Sequence, residues 1–359
     1  MKKCVVVSDS FKGTVSSREI CEIAQRVIPR HFPSCEVVCI PVADGGEGTV
    51  DCFIQAMGAQ RVEVTVTNAL GEKSAAAYAR IGELAIIEMA AAAGLPQVGA
   101  LRCPGTATTY GVGELIAHAV HSGCKRILLG LGGSATNDGG CGCAAALGVG
   151  FLDADGQSFV PVGDTLGRIA RIDTAKADEL LRSVEITVMC DVTNPLYGPT
   201  GAAYVFAPQK GADAEKVKSL DAGLRHFGDV IRSQLGIDVS RMPGAGAAGG
   251  MGAGCVALLG GMIQSGIDAV LDVTGFDRQL EGADLVITGE GRIDSQSGRQ
   301  GDLRRCAAHQ GKGHTAHCHR RRHCRFSRGG IRHRRERHVL YGQGGTSGRY
   351  AGRAKPRRL

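Results

Sequence analysis

Residues that can handle a phosphate group recur in glycine-rich segments that directly follow apolar runs. Lys12 lies in SDSFKG, Asp44 in ADGGEGT, and Asp138 in GLGGSATNDGG at 130–140. Glycine lets the backbone approach a ligand closely, and successive backbone N–H groups form concavities that bind anions. A lysine can neutralise phosphate charge, and a carboxylate can hold Mg²⁺ or orient an attacking hydroxyl. The combination is typical of phosphoryl-transfer sites, although segment 130–140 is neither a P-loop nor a GxGxxG fingerprint.

Three further segments add charged side chains after apolar runs. Asp191 opens DVTNPLYG and is a candidate general base or metal ligand; Lys210 lies in APQKGA; and GEGRIDSQS at 289–297 places three charged residues within five positions. Single segments also have ordinary explanations, because SDSFKG fits an exposed lysine with Asp9 as a cap, and DVTNPLYG fits a capped turn. Taken together, six polar segments at the ends of strands favour one enzyme site.

The apolar pattern between these segments predicts an α/β fold. Residues 4–7 form a continuous apolar run, as a strand covered on both faces does, and Ser16 with Glu19 makes a capping box that begins a helix. Alternation at 62–67 and two apolar runs up to residue 89 predict an antiparallel meander. A later helix is predicted by the apolar face Val217, Leu220, Leu224, Phe227 and Ile231. Loops that follow parallel strands gather at the carboxyl edge of the sheet, where ligands bind in open α/β folds.

The charge of the chain is divided unevenly. The formal net charge is +7, but residues 298–359 hold 18 Lys and Arg against 2 Asp and Glu, which leaves the first 297 residues with 24 basic and 33 acidic groups. An acidic body gives no reason to expect nucleic-acid binding, and no stretch approaches the ~20 apolar residues of a membrane span. The 14 cysteines show no metal-binding spacing and fit free thiols of a reducing cytosol. We therefore expect a cytoplasmic protein without nucleic-acid or membrane partners.

Seven segments occur in an order that resembles the glycerate kinase family of bacterial glycerate and sugar-acid catabolism. They are DSFKGT, PVADGGEGT, GLGGSATNDGG, CDVTNPLYG, PQKGA, PGAGAAGG and TGEGRIDSQS, and they cover residues 1–297 nearly end to end. The resemblance implies an α/β fold with a flavodoxin-like three-layer domain that holds both chain ends (1–61 and 283–297) and an inserted α/β domain with a mixed sheet (62–282). It also implies ATP and Mg²⁺ as cosubstrates and D-glycerate as the acceptor.

The residues of these segments receive roles from their chemistry. Lys12 would neutralise phosphate, Asp191 would orient the acceptor hydroxyl, and Asp138 would hold Mg²⁺ or the substrate. Glu290 and Asp294 are the candidate metal ligands, and Asp44 is an alternative to Glu290 on the metal side. The candidate ATP- or substrate-binding residues are Ser10, Gly13, Asp44, Gly45, Gly46, Gly132, Gly133, Ser134, Asn137, Asn194, Lys210 and Arg292.

Beyond Ser297 the sequence departs from the family pattern. Arginine dominates, seven of the eleven histidines appear, and apolar periodicity is lost. When the last two bases of each codon are read with the first base of the next, residues 299–301 can become Gly-Lys-Val and residues 310–318 can become Lys-Ala-Lys-Gly-Ile-Pro-Leu-Ile-Ala. These are the helix and the apolar strand that the fold needs there. We interpret 298–359 as a basic, disordered tail from a shifted reading frame, and we expect the lost strand and helix to make the chain poorly stable and weakly active.

Two other functions fit parts of the sequence. A kinase of the same fold acting on another small hydroxy acid or sugar acid would use the same segments. A protein of a different class would bind a metal or nucleic acid through the tail, although the spacing of its histidines and cysteines matches no standard zinc finger. A dehydrogenase is disfavoured because no GxGxxG with a following acidic residue is present. The sequence leaves open whether the 2- or the 3-hydroxyl of glycerate is phosphorylated, and it does not specify the oligomeric state.

Overall fold

The computed structural model describes residues 1–8, 14–40, 48–289 and, for the backbone, 315–319. The chain divides into one compact unit built on Met1–Ile40 and on the chain from Asp277 onward, and a second unit of Pro41–Phe276. The sequence predicts boundaries at 61/62 and 282/283, whereas the two compact units meet at 40/41 and 276/277 along the chain. The flavodoxin-like assignment of the first domain stays a prediction.

The helices and strands are defined in chain order. They are β1 (Lys3–Ser8), α1 (Ser17–His31), β2 (Glu36–Cys39), α2 (Thr49–Met57), β3 (Gln60–Thr67), β4 (Lys73–Ile81), β5 (Leu84–Glu88), α3 (Ala90–Ala93), α4 (Leu95–Val98), α5 (Tyr110–His121), β6 (Arg126–Gly130), α6 (Cys141–Ala146), β7 (Gly150–Leu152), β8 (Arg171–Asp173), α7 (Ala175–Leu181), β9 (Glu185–Met189), α8 (Ala202–Phe206), α9 (Ala214–Leu235), α10 (Ala247–Leu259), β10 (Met262–Gln264), α11 (Gly266–Val273), α12 (Phe276–Gln279), β11 (Leu285–Gly289) and β12 (Thr315–His319), with 3₁₀ turns at Gly163–Arg168 and Pro208–Lys210.

The first unit is built around a parallel sheet in the order β12-β11-β1-β2. The central strand β1 is buried from Cys4 to Ser8, as its continuous apolar run predicts. Helix α1 packs its apolar face against Cys4 and Val6. Its predicted capping box is confirmed, because Ser16 Oγ accepts from Glu19 N while the Glu19 carboxylate accepts from Ser16 N.

Strand β12 extends this sheet beyond β11. It runs parallel to β11, with Leu285 aligned to Thr315 and Gly289 aligned to His319. These five residues are an exception to the disorder expected across 298–359. A backbone ladder uses only N–H and C=O groups, so it can form along an open strand edge without an apolar side-chain pattern. The rest of the tail prediction lies outside the described residues.

The second unit is organised by a mixed six-stranded sheet in the order β10-β9-β6-β5-β4-β3. The antiparallel meander is confirmed for β3, β4 and β5, whereas β5, β6, β9 and β10 are parallel. Their register aligns Glu88 with Gly130, Gly130 with Met189, and Met189 with Gln264. The segments that leave these four strands therefore start from one edge of the sheet.

Helices cover this sheet and enclose one large apolar core. Helix α9 buries the face that its sequence predicts, formed by Val217, Leu220, Leu224, Phe227 and Ile231. Asp213 caps the helix by accepting from Lys216 N, and Gly236 ends it in a left-handed conformation. The alternation of strands with covering helices confirms the α/β fold class.

Candidate active site

The carboxyl edge of the parallel strands carries the glycine-rich segment 130–140. Gly133, Gly139 and Gly140 have φ values of +73°, +65° and +77°, a region that side-chain-bearing residues rarely adopt. Gly139 has a second constraint, because a Cβ there would lie 2.7 Å from the ring of Phe227. Gly132 is partly exposed and Gly133 is exposed, so the start of the segment is open to a ligand.

Lys210 reaches the same segment from the 3₁₀ turn Pro208–Lys210. Its side chain is 2 % exposed, and its Nζ donates to Ser134 Oγ and to the Thr136 carbonyl oxygen, each at 2.7 Å. Burial lowers the pKa of Lys210 to about 7, and the charge of Asp138 opposes that lowering. The sequence predicts Lys210 as a binding residue, and the structure places its ammonium beneath the segment rather than at its surface.

Asp138 is fully buried and is surrounded by backbone and hydroxyl donors. Its carboxylate accepts from Thr109 N and Thr109 Oγ1 at 2.8 Å each, and from Gly140 N and Gly142 N at 3.1 and 3.3 Å. Burial raises the pKa of this carboxyl, and the hydrogen bonds from Thr109 act in the opposite direction. This arrangement fixes the turn into α6. The catalytic role expected for Asp138 stays a prediction.

Unpaired polar atoms are concentrated in segment 130–140. Within the described part of the chain, buried side-chain atoms without a hydrogen-bond partner occur at Asn137 Oδ1, Asn137 Nδ2, Thr136 Oγ1 and Ser74 Oγ. Three of these four atoms belong to two adjacent residues. Leaving a buried polar atom unpaired costs about 1–3 kcal/mol, so the segment holds hydrogen-bonding capacity that the described protein groups do not use.

The glycine-rich segment 243–254, which begins with PGAGAAGG, packs directly against this polar stretch. Ala248, Gly249 and Gly250 have φ values of +52°, +70° and +92°. A Cβ at Gly249 would overlap the Thr136 carbonyl oxygen and lie 2.5 Å from Asn137 Cα. The backbones also join directly, because Gly139 N donates to Gly249 O at 3.0 Å. Glycine is therefore required where the two segments touch.

Segment 191–198 joins the same assembly. Asn194 O accepts from Gly246 N at 3.0 Å, and a Cβ at Gly246 would overlap the Pro195 carbonyl oxygen. Asn194 Nδ2 donates to Thr200 O at 2.8 Å, so its side chain also shapes the turn. Three of the predicted segments, 130–140, 191–198 and 243–254, are thus brought together.

Asp191 differs from Asp138 because it is exposed. Its Oδ1 accepts from Gly266 N at 2.9 Å, at the first residue of α11. A helix N-terminus favours a negative charge, so the Asp191 carboxylate lies after β9 at a position that suits an acidic side chain. An accessible carboxylate at a strand end can accept a hydrogen bond from a hydroxyl or share a cation with phosphate oxygens.

Glu88 is a candidate that the sequence reasoning missed. It is buried at the end of β5, level with Gly130, and its carboxylate accepts from Val50 N in the first turn of α2. The sequence signal that could have identified Glu88 is its position as an acidic residue inside the apolar run LAIIEMA. A carboxylate buried in such a run needs compensating partners, which makes it a candidate functional residue.

The remaining predicted residues lie outside the described part of the chain. They are Ser10, Lys12, Gly13, Asp44, Gly45, Gly46, Glu290, Arg292 and Asp294. In the described ranges no group of three or more His, Cys, Asp or Glu side chains is arranged to hold a metal ion. Nor is any described helix long and apolar enough to cross a membrane.

Glycine-rich segments at the carboxyl edge of parallel strands are typical of α/β proteins that bind a small phosphate-bearing molecule. Residues 4–312 match the model of the glycerate kinase family. The chain is 49% identical over 298 residues to a glycerate kinase of Bacillus cereus, and 46% identical over 299 residues to a glycerate 2-kinase of Escherichia coli. Each match covers 82% of this chain and 78% of the relative.

The fold also has a solved counterpart. The crystal structure of a Salmonella typhimurium protein assigned as glycerate kinase 2 superposes with a TM-score of 0.81 at 41% identity, over 88% of this chain and 85% of that one. The chain belongs to the glycerate kinase family.

Proposed function

We propose that this chain transfers the γ-phosphate of ATP to a hydroxyl of D-glycerate, giving phosphoglycerate and ADP. The proposal is carried by the similarity to glycerate kinases over 82% of the chain at up to 49% identity. It is supported by the described site, in which three of the family-like segments meet beside parallel strand ends. Because one of the compared relatives is named a glycerate 2-kinase, we propose the 2-hydroxyl as the acceptor.

The described residues supply donors and a carboxylate for this reaction. The exposed backbone at Gly132 and Gly133, with the Ser134 hydroxyl, would bind anionic oxygens. Asp191 would accept a hydrogen bond from the glycerate hydroxyl and orient it toward the phosphorus atom. Asn137 and Asn194 would contribute to substrate binding as parts of segments 130–140 and 191–198.

Mg²⁺ would neutralise the charge of the phosphate oxygens when it is bound with ATP. A Mg²⁺–nucleotide complex commonly needs only one or two protein carboxylates. Glu290 and Asp294 are the candidates for the metal side, with Asp44 as the alternative to Glu290. Lys12, with Arg292, would add positive charge near the phosphates, and Ser10, Gly13, Gly45 and Gly46 would complete the binding segments.

The tail belongs to the proposal as well. We propose that residues 298–359 are a shifted reading of the family's C-terminal elements. This is supported by the family match, which ends at residue 312, and by the loss of apolar periodicity after Ser297. The enzyme would work in the cytoplasm on a small-molecule substrate, without nucleic acid or membrane as a partner.

The test is ADP release when D-glycerate is added to the purified chain with ATP and Mg²⁺. We expect ADP to form only with an acceptor present, and ³¹P NMR to identify the product as 2- rather than 3-phosphoglycerate. Asp191→Asn should lose most of this activity, whereas Asp229→Asn, at an exposed acid on α9 paired with Arg232, should keep it.

A variant with the reading frame restored after Ser297 is run beside the parent chain. If neither releases ADP with D-glycerate but both do with another small hydroxy acid or sugar acid, the alternative substrate class replaces glycerate. If neither responds to any acceptor, the kinase proposal is wrong.

A further inference from the structure

Lys210 is a buried lysine whose side-chain hydrogen bonds both run to segment 130–140. Its ammonium lies 2.7 Å from Ser134 Oγ and from the Thr136 carbonyl oxygen, and only 2 % of the residue is exposed. A ligand outside the segment therefore meets Ser134 and the glycines before it meets the lysine. Any effect of Lys210 on such a ligand must pass through the groups that it holds.

The chemistry of an ammonium determines how Ser134 can be used. An ammonium has three donors and no acceptor, whereas a hydroxyl has one donor and two acceptor lone pairs. While Lys210 is in its ammonium form, Ser134 Oγ must therefore accept from it, and the hydroxyl hydrogen of Ser134 is left to donate in another direction. Ser134 follows directly after the exposed Gly133, so a donor at this position lies next to the open part of the segment.

We propose that Lys210 is a positioning residue that orients the Ser134 hydroxyl as a hydrogen-bond donor to an anionic oxygen of a bound substrate. The inference rests on the proposed kinase function, in which that oxygen belongs either to a phosphate of ATP or to the glycerate carboxylate. A negatively charged ligand beside this pair favours the ammonium form of Lys210, as the buried Asp138 already does.

The unpaired atoms beside Ser134 support a ligand in this place. Asn137 keeps both ends of its amide without a partner, and Thr136 keeps its hydroxyl without one, although both side chains are buried. A stretch that served only to pack the fold would be expected to satisfy these atoms within the protein. These unpaired groups and the Ser134 hydroxyl all belong to residues 134–137 of one segment.

A purely structural role for Lys210 predicts a different outcome. If Lys210 only braced the segment, its loss would weaken ATP and glycerate binding alike and would not depend on the Ser134 hydroxyl. If Lys210 orients Ser134, the loss of the lysine and the loss of the hydroxyl weaken the binding of the same ligand, and the two losses of binding free energy do not add in the double variant.

The experiment measures the affinity of the full chain for Mg²⁺·ATP and, separately, for D-glycerate by titration calorimetry. The variants are Ser134→Ala, Lys210→Met, the double variant, and Ser134→Thr, which keeps a hydroxyl. Lys218→Met is the matched control, because Lys218 is an exposed lysine that pairs with Glu215 on α9. Circular dichroism establishes that each variant is folded.

We expect Ser134→Ala and Lys210→Met each to weaken the binding of the same ligand about tenfold. The double variant should be no weaker than the single ones. Ser134→Thr, which keeps the hydroxyl, should bind more tightly than Ser134→Ala, and Lys218→Met should match the parent. The affected ligand identifies the anionic oxygen: a change confined to ATP assigns a phosphate, and a change confined to D-glycerate assigns the carboxylate.

Other outcomes overturn the inference. If the parent binds both ligands and Lys210→Met binds them equally well, or if the two substitutions multiply in the double variant, Lys210 does not act through Ser134. If Lys210→Met does not fold, the affinities of Ser134→Ala and Ser134→Thr test the inference instead. Equal affinity of Ser134→Ala and the parent would contradict the role of the Ser134 hydroxyl as a donor. The same substitutions are also made in the chain whose reading frame is restored after Ser297. If neither that chain nor the parent binds either ligand, the proposed function and this inference with it are overturned.

Discussion

Replacing Lys210 by methionine should change how the stability of the protein depends on pH. The pKa of Lys210 is about 7 in the folded chain, against an ordinary value of 10.5, because burial disfavours the charged form. Between these two values the unfolded chain binds a proton that the folded chain does not. The free energy of unfolding that depends on Lys210 is therefore lowest below pH 7. It rises with pH between 7 and 10.5, and it reaches its full value above 10.5.

The size of the effect follows from the same two values. Each pH unit in which only the unfolded state is protonated contributes about 1.4 kcal/mol. Lys210 is half protonated in the folded chain at pH 7, so the interval from pH 7 to pH 9 is worth about 2 kcal/mol. Methionine cannot titrate, so the parent should gain about 2 kcal/mol over this interval relative to Lys210→Met.

Urea unfolding followed by circular dichroism measures this difference, since the chain contains no tryptophan for fluorescence. The free energy of unfolding is compared at pH 7 and pH 9 for the parent, for Lys210→Met and for the exposed-lysine control Lys218→Met. The control should follow the parent at both values. Parallel pH profiles for the parent and Lys210→Met would refute the reasoning, because they would mean that Lys210 is ionised in the folded chain as it is in water.

Three further changes test separate parts of the structure. Asp191→Asn should reduce kcat for glycerate phosphorylation by about 10²–10⁴-fold, the range typical of a lost acid–base or orienting group; full activity in a steady-state assay would remove that role. Gly249→Ala should lower the free energy of unfolding by more than about 2 kcal/mol, because its Cβ would overlap the Thr136 carbonyl oxygen at a positive φ; an unchanged urea midpoint would contradict the close packing. Restoring the family reading frame after Ser297 should raise both the melting temperature, measured by calorimetry, and the activity, measured by ADP release. Equal values for the two chains would show that residues 298–359 lower neither stability nor activity.

Local sequence signals were sufficient for much of the fold. The capping box of Ser16 and Glu19 specifies its own geometry, and the apolar spacing from Val217 to Ile231 identifies the buried face of α9, because both depend on residues one or two helical turns apart. The ends of β6 and β9 were also predictable, since a polar segment after an apolar run marks where a buried strand stops.

The sequence could not show which charged residues of the site are accessible. Lys210 and Asp191 both lie in polar, glycine-containing segments, yet the first is buried and the second is exposed. Their difference arises from contacts with residues far away in the chain: Lys210 meets Ser134, and Asp191 meets Gly266. Such contacts depend on the order of the strands in the sheet, which no local pattern encodes.

Several unfavourable features coincide where segments 130–140 and 243–254 meet. A lysine is buried with a lowered pKa, an amide is left unpaired at both ends, and Ala248 is held in a left-handed conformation. Each of these features lowers the free energy of unfolding, the last by about 1–3 kcal/mol. Strain and unsatisfied polar groups persist only where the surrounding packing determines them, and they cluster where a protein binds its ligand. Their concentration within segment 130–140 and against it therefore makes this part of the sheet edge the strongest candidate for the place where an anionic substrate is bound.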